Sequence, residues 1–266
     1  MYFVLSLIIV GGALKALDSP ITVGYLIIFG SMGVILSEVL RRDFSIEKTL
    51  VVATVAVLMV TVLMLVFYGM RSGQPPWYAI SDYIAGMIRH NMELFAESGA
   101  SGQQIELLRS REQRMVSLLT AMMPSLLITG IAFIVWLATM SGSILFQARQ
   151  MWYPVFGDLR RWKLPDRFLW VVALVILCLL LPLEFFLVVG LNGLVIVVFL
   201  YMMQGFSVLG YFFEAKNIHR LLRIALYAFI IMQQALVLPV AILGFVDAWA
   251  DFRKTRGGDT LPKSES

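Results

Sequence analysis

Trp136, Thr139, Tyr201, Gln204, Tyr227 and Gln234 set indole, hydroxyl, phenol and carboxamide groups into stretches that otherwise hold little but hydrocarbon. These are the groups with which an apolar pocket orients a small molecule, by stacking and by a few well-placed hydrogen bonds. Two carboxylates near the same stretches, Glu184 and Asp247, are candidates for holding an ion or a proton, because ionisable groups at membrane depth are costly and tend to serve a purpose. Asp251 follows Asp247 by one helical turn, beside Trp249. The plainer account of these acids is a hydrated carboxylate at an interface, with Trp249 in the aromatic belt.

Spacing places many of these residues on shared faces. At 100° per residue, Thr129, Ala132, Trp136, Thr139, Ser143 and Gln147 lie within about 80° of one another. Tyr201, Gln204, Gly205 and Val208 share a second face. Arg220, Arg223, Tyr227 and Gln234 share a third, and Gly30, Gly33, Ser37 and Arg41 a fourth. Helix packing explains such stripes without a ligand, since small residues admit close approach and Ser, Thr and Gln bond across helices for about 0.6 kcal/mol each. That account suits the glycine stripe best. The large groups at Trp136, Tyr201, Gln204, Tyr227 and Gln234 equally suit the lining of a partly polar cavity.

Other chemistries lack their residues. There is no G-x-x-x-x-G-K-[ST] loop, no H-E-x-x-H and no G-x-S-x-G, so nucleotide, zinc-protease and serine-hydrolase motifs are missing. His90 and His219 lie outside the apolar runs and Cys178 is the sole cysteine. A four-ligand zinc site and an internal disulfide are therefore unsupported. The expectation is a protein that is not an enzyme and takes no cofactor or metal.

The elements that must carry these residues follow from composition. Of 266 residues 60% are hydrophobic and only 14% charged, against about 25% charged in a typical soluble domain; mean hydropathy is +0.85. Runs without Asp, Glu, Lys or Arg cover 1–14, 19–37, 49–70, 115–148, 168–183, 185–213 and 224–246. A bilayer core takes about 20 apolar residues per helix. The composition predicts an all-α, polytopic transmembrane helical bundle of about seven spans, a single domain over 1–250 that contacts the lipid bilayer. The expected spans are 2–17, 20–39, 48–69, 116–147, 167–187, 192–213 and 220–249. The first opens without a basic segment or small-residue cleavage site and is expected to stay uncleaved. Pro124 is expected to divide the fourth span, Gly190–Gly193 to form the turn into the sixth, with Asn192 as its cap, and Pro239 to interrupt the seventh. The polar tail 251–266 is expected to be disordered.

Between spans three and four, residues 71–115 form an extramembrane insertion. Ile80, Tyr83, Ile84, Met87, Ile88, Asn91, Leu94 and Phe95 recur at helical spacing there, which marks an amphipathic helix. Ser98–Gly102 breaks it, and Ser101 with Gln104 forms a capping-box pattern for a second helix leading into span four. An amphipathic helical hairpin is expected, either packed on the bundle or lying at the interface as a lid.

Lys and Arg set the orientation. Alternating spans place Arg41, Arg42, Lys48, Arg149, Arg160, Arg161, Lys163, Arg167, Lys216, Arg220 and Arg223 on one side in short loops, which predicts that side to be cytoplasmic. Basic residues at helix ends are explained by topology, so the pI near 9.3 does not point to nucleic acid. Seven crossings place the tail on the opposite side, but it too is basic, which implies either that the last helix turns back at Pro239 or that the number of spans differs by one.

Four segments of the second half carry a family likeness. They are Trp162-Lys163-Leu164-Pro165, Gly190-Leu191-Asn192, Phe199-Leu200-Tyr201-Met202-Met203-Gln204-Gly205 and Asp247-Ala248-Trp249-Ala250-Asp251-Phe252-Arg253-Lys254. Over about 116–254 the chain resembles the YybS-like family of predicted bacterial membrane proteins, whose function is unknown. That family is distantly similar to the substrate-binding membrane components of energy-coupling-factor vitamin transporters, which are helical bundles that need separate ATPase and coupling subunits. The resemblance implies an inner-membrane, multi-pass protein, a small-molecule-binding or transport role without its own ATPase, and membrane or ATPase partner subunits. The contrasting expectation is a non-enzymatic scaffold or assembly subunit.

Overall fold

The computed structural model describes residues 20–42, 44–154, 156, 159–250 and 253. The first expected span and all of the tail except Arg253 lie outside the described residues, as does the side chain of Gln234. All regular structure among the described residues is helical. The chain divides into two compact units, Met1–Val155 and Phe156–Ser266.

In the first unit α1 (Pro20–Leu40) and α2 (Ile46–Ser72) form a hairpin. Pro20 stands at the first position of α1, where its missing N–H costs nothing. Ser45 caps α2, its hydroxyl accepting from the Lys48 N–H, and Gly73 ends it at φ 67°, a left-handed turn that suits glycine. Leu36, Ala53, Val57 and Val135 form the buried cluster where α1, α2 and α4 meet.

The expected amphipathic hairpin is present as α3 (Pro76–Glu97) and the first part of α4 (Gly102–Ala148). The capping box forms as read: the Ser101 N–H donates to Gln104 Oε1 at 3.1 Å and the Gln104 N–H to Ser101 Oγ at 3.4 Å. Ile84, Ala85 and Ile88 are buried along α3, and Arg89 Nε donates to Glu112 Oε1 at 2.7 Å, so the two arms of the hairpin pack on each other. Pro124 does not divide α4, which runs unbroken for 47 residues, about 70 Å at 1.5 Å per residue. One missing N–H leaves the remaining ladder intact, and helices in bilayers accommodate it.

In the second unit α5 (Phe168–Leu180) and α6 (Glu184–Ala215) are joined by Leu181–Leu183. Pro182 forces the preceding Leu181 into extended backbone, ψ 132°, and that ends α5. The expected turn at Gly190–Gly193 is not formed; α6 passes straight through it. These glycines serve a close helix contact instead. A Cβ on Gly190 would meet Leu179 Cδ2 at 2.8 Å, and one on Gly193 would meet Val175 Cγ2 at 2.7 Å. That pairing order makes α5 and α6 antiparallel. Asn192 is no cap, since its Nδ2 donates to the Val188 carbonyl one turn back at 2.9 Å.

The last expected span breaks at a different place from Pro239. α7 (Arg220–Met232) ends at Gln233, a 3-10 turn covers Gln234–Leu236, and α8 is Val237–Ala250. Pro239 falls in the first turn of α8, where the backbone N–H has no helical acceptor to lose. The pair is bent by 112°.

By length and composition three helices can cross a membrane: Ile46–Ser72, Gly102–Ser143 and Glu184–Ala215. The bent pair adds a fourth candidate, and Leu26–Leu40 and Phe168–Leu180 are shorter apolar helices. The count of seven is thus not reached among the described residues. Only 17–22% of the apolar windows of the three long helices is buried within the chain. The exposed remainder, including Leu63, Phe67, Met70 and Phe185, is apolar, as a helix face in contact with hydrocarbon must be.

Candidate functional site

The second unit holds a buried polar cluster assembled from three segments. α6 supplies Gln204 and Ser207, α8 supplies Asp247, and Arg253 follows the end of α8. A loop, 160–164, lies along the second half of α6 with its carbonyls turned inward.

Close helix contact makes this possible. A Cβ on Gly205 would overlap the Val240 carbonyl oxygen, and one on Gly244 would overlap the Tyr201 carbonyl oxygen and meet Gly205 N at 2.6 Å. Both glycines are thus required for the backbones to touch. Tyr201 stacks edge-on against Phe245, centroids 5.2 Å apart. Beyond this contact Asp247 meets Gln204 and Arg253 meets Ser207.

Arg253 grips Asp247 with both ends of its fork. Nη2 donates to Oδ2 at 2.7 Å and Nε to Oδ1 at 3.3 Å, and both side chains are wholly shielded from solvent. Its Nη1 donates to the Arg160 carbonyl at 2.6 Å, the Trp162 carbonyl at 3.0 Å and Ser207 Oγ at 2.7 Å. Gln204 Nε2 donates to Asp247 Oδ2 at 3.0 Å, and the Leu164 N–H donates to Gln204 Oε1 at 3.2 Å. Ser207 Oγ donates to the Trp162 carbonyl at 2.9 Å. Arg160 also pairs with Glu214 through its guanidinium. The fork joins one cation to one anion, so the Asp247–Arg253 pair itself carries no net charge. Such a bidentate pair, once desolvated, is expensive to break because removing either partner strands the other.

The residues singled out by sequence fall in different places. Tyr201, Gln204 and Asp247 come together here. Thr139 and Trp136 belong to the first unit. Thr139 is fully buried and donates to the Val135 carbonyl at 2.7 Å, while Trp136 stacks on Phe133 at 6.0 Å. The other hydroxyls of that stripe likewise bond their own helix: Thr129 to the Ser125 carbonyl and Ser143 to the Met140 carbonyl. Tyr227 packs on Phe206 and Phe213 and donates to the Phe206 carbonyl at 3.4 Å. Glu184 is exposed in the first turn of α6, where the helix dipole favours an anion; twenty residues, about 30 Å of helix, separate it from Gln204. Gln234 lies in the 3-10 turn, and Asp251 is outside the described residues. Among the described residues no group of three or more His, Cys, Asp or Glu could hold a metal ion.

Sequence reasoning missed Arg253, Ser207 and the inward carbonyls of Arg160 and Trp162. Arg253 stands six residues after Asp247, which matches no helical neighbour spacing. The signal available was segmental: Trp162–Pro165, Phe199–Gly205 and Asp247–Lys254 were each distinctive, and the structure joins all three in one cluster.

No curated protein and no solved structure matches the chain. One family model matches residues 1–248, and the chain belongs to the family it describes, the predicted membrane proteins of DUF2232.

Proposed function

We propose that this chain is a non-catalytic integral membrane subunit whose polar cluster fastens helices for assembly with partner proteins. One observation carries the proposal: Gln204, Asp247 and Arg253 are buried, and their hydrogen-bonding groups are engaged by the chain itself. A cluster built to receive a ligand keeps a polar group turned towards a cavity. Here the polar groups link α6, α8 and the 160–164 loop.

A second reading is small-molecule binding or transport, with energy supplied by a partner ATPase and the protein resident in the bacterial inner membrane. The resemblance of the sequence to the YybS-like family, itself distantly similar to energy-coupling-factor components, points this way, and so does the bend at Gln233–Leu236. Interrupted helices mark the substrate sites of many transporters, and irregular backbone at membrane depth needs protein or a water-filled cavity around it. On this reading Tyr201, Gln204 and Tyr227, all in the second unit, supply the contacts to the ligand.

Native mass spectrometry of the detergent-extracted protein from its own membranes separates the two. The assembly role predicts a co-purifying protein subunit and no retained small molecule. A stoichiometric small-molecule adduct released on activation overturns it in favour of transport.

A further inference from the structure

We infer that α7 and α8 form a re-entrant pair: the chain dips into the bilayer at Arg220 and returns to the same face at Arg253. Arg160 carries the argument, because it touches the chain on both sides of the pair. Its guanidinium pairs with Glu214 near the end of α6, six residues before α7 begins. Its carbonyl accepts from Arg253, three residues after α8 ends. One residue, held in the 3-10 turn Leu159–Arg161, cannot stand on both faces of a membrane, so both ends of the pair lie on its side.

Three further observations agree. α7 has 13 residues and α8 has 14, about 20 Å each, short of a hydrocarbon core of about 30 Å. The 112° bend between them turns the chain back past the perpendicular. Leu221, Leu222, Phe229, Met232, Leu238 and Ile242 are exposed, which suits immersion in lipid rather than a hairpin lying in water.

Charge supplies an independent check. From residue 156 onward the sequence holds eleven Lys and Arg: Arg160, Arg161, Lys163, Arg167, Lys216, Arg220, Arg223, Arg253, Lys254, Arg256 and Lys263. A single crossing by 220–249 splits them between two faces. A re-entrant pair lets all eleven begin from one, as the distribution of Lys and Arg about bilayers favours. The Asp247–Arg253 fork is the latch that holds the returning end against the 160–164 loop.

Single cysteines test the arrangement in a Cys178→Ser background, in sealed membrane vesicles of one orientation, with a membrane-impermeant maleimide. Trp152→Cys reports the loop before α5, Ser101→Cys the turn between α3 and α4, and Thr260→Cys the tail. Labelling after detergent gives each site its total. The expected result is that the labelled fraction at Thr260→Cys equals that at Trp152→Cys and is the complement of that at Ser101→Cys. Equality with Ser101→Cys overturns the inference and restores a crossing between Arg220 and Arg253. The reporters lie in loops or tail and leave the latch intact, so the result does not depend on a variant that fails to fold.

Discussion

In the unit Met1–Val155 the hydroxyls of Thr61, Thr129 and Thr139 bond carbonyls of their own helices, and neighbouring helices meet through Leu36, Ala53, Val57 and Val135. In the unit Phe156–Ser266 two glycines bring backbones into contact, and four polar side chains close a single network with the backbone of the 160–164 loop. Contacts of the first kind depend on shape, are individually small, and tolerate exchange of one apolar residue for another. Those of the second kind depend on every member, because a half-satisfied buried network costs more than an apolar one. Stability in the first unit should therefore decline by degrees under mutation, and in the second by steps.

The largest step is expected at the helix contact. Gly244→Val or Gly205→Val places side-chain atoms on a backbone carbonyl and should cost more than about 4 kcal/mol, seen as loss of the monodisperse peak in detergent gel filtration. Gly30→Ala and Gly33→Ala, where an added Cβ meets nothing within 4 Å, should leave the profile unchanged. A collapse of both pairs, or of neither, would erase the contrast between the units.

Next come the charged partners. Asp247→Leu or Arg253→Met alone should lower stability by about 3–5 kcal/mol, the cost of stranding a buried charge, read as a fall in the thermal midpoint. Gln204→Leu removes one donor to Asp247 and the acceptor for Leu164 N, and should cost about 1–3 kcal/mol. An effect below that range would show that Gln204 fills space without completing the network.

The smallest effect belongs to the first unit. Tyr153 donates to the Thr139 carbonyl at 2.6 Å, so Tyr153→Phe should cost about 1 kcal/mol at neutral pH. Burial pushes the Tyr153 phenol up to about 12, from an ordinary value of about 10. The folded state holds that proton more tightly than the unfolded one. Its contribution is whole below about pH 10 and is lost as pH rises towards about 12. Thermal melts across that range should show the wild-type advantage shrinking to nothing, while Tyr153→Phe lacks that part of the slope.

Much of the fold was legible because the signals were local. Pro20, the Ser101–Gln104 box and the stripe carrying Ile84 and Ile88 each concern one helix and its own turn, and each appears where expected. The misread positions involve partners distant in sequence. Gly190 and Gly193 look like a turn in isolation, yet they are needed where α5 presses on α6. Pro239 looks like a breaker, yet it opens α8 after the break at Gln233. Within the candidate site Tyr201, Gln204 and Asp247 could be found as polar intrusions in apolar runs. Arg253 could not, since it lies beyond the helix and two of its acceptors are carbonyls more than ninety residues earlier.

The central claim is that Asp247 and Arg253 act on each other as a buried fastening. A double-mutant cycle of Asp247→Leu and Arg253→Met, followed by thermal unfolding in detergent, tests it most directly. If the claim is right, the double variant regains at least half of what either single loses, because no charge is left unpaired. Losses that simply add would mean that the two side chains stabilise the protein separately, and the fastening would be contradicted.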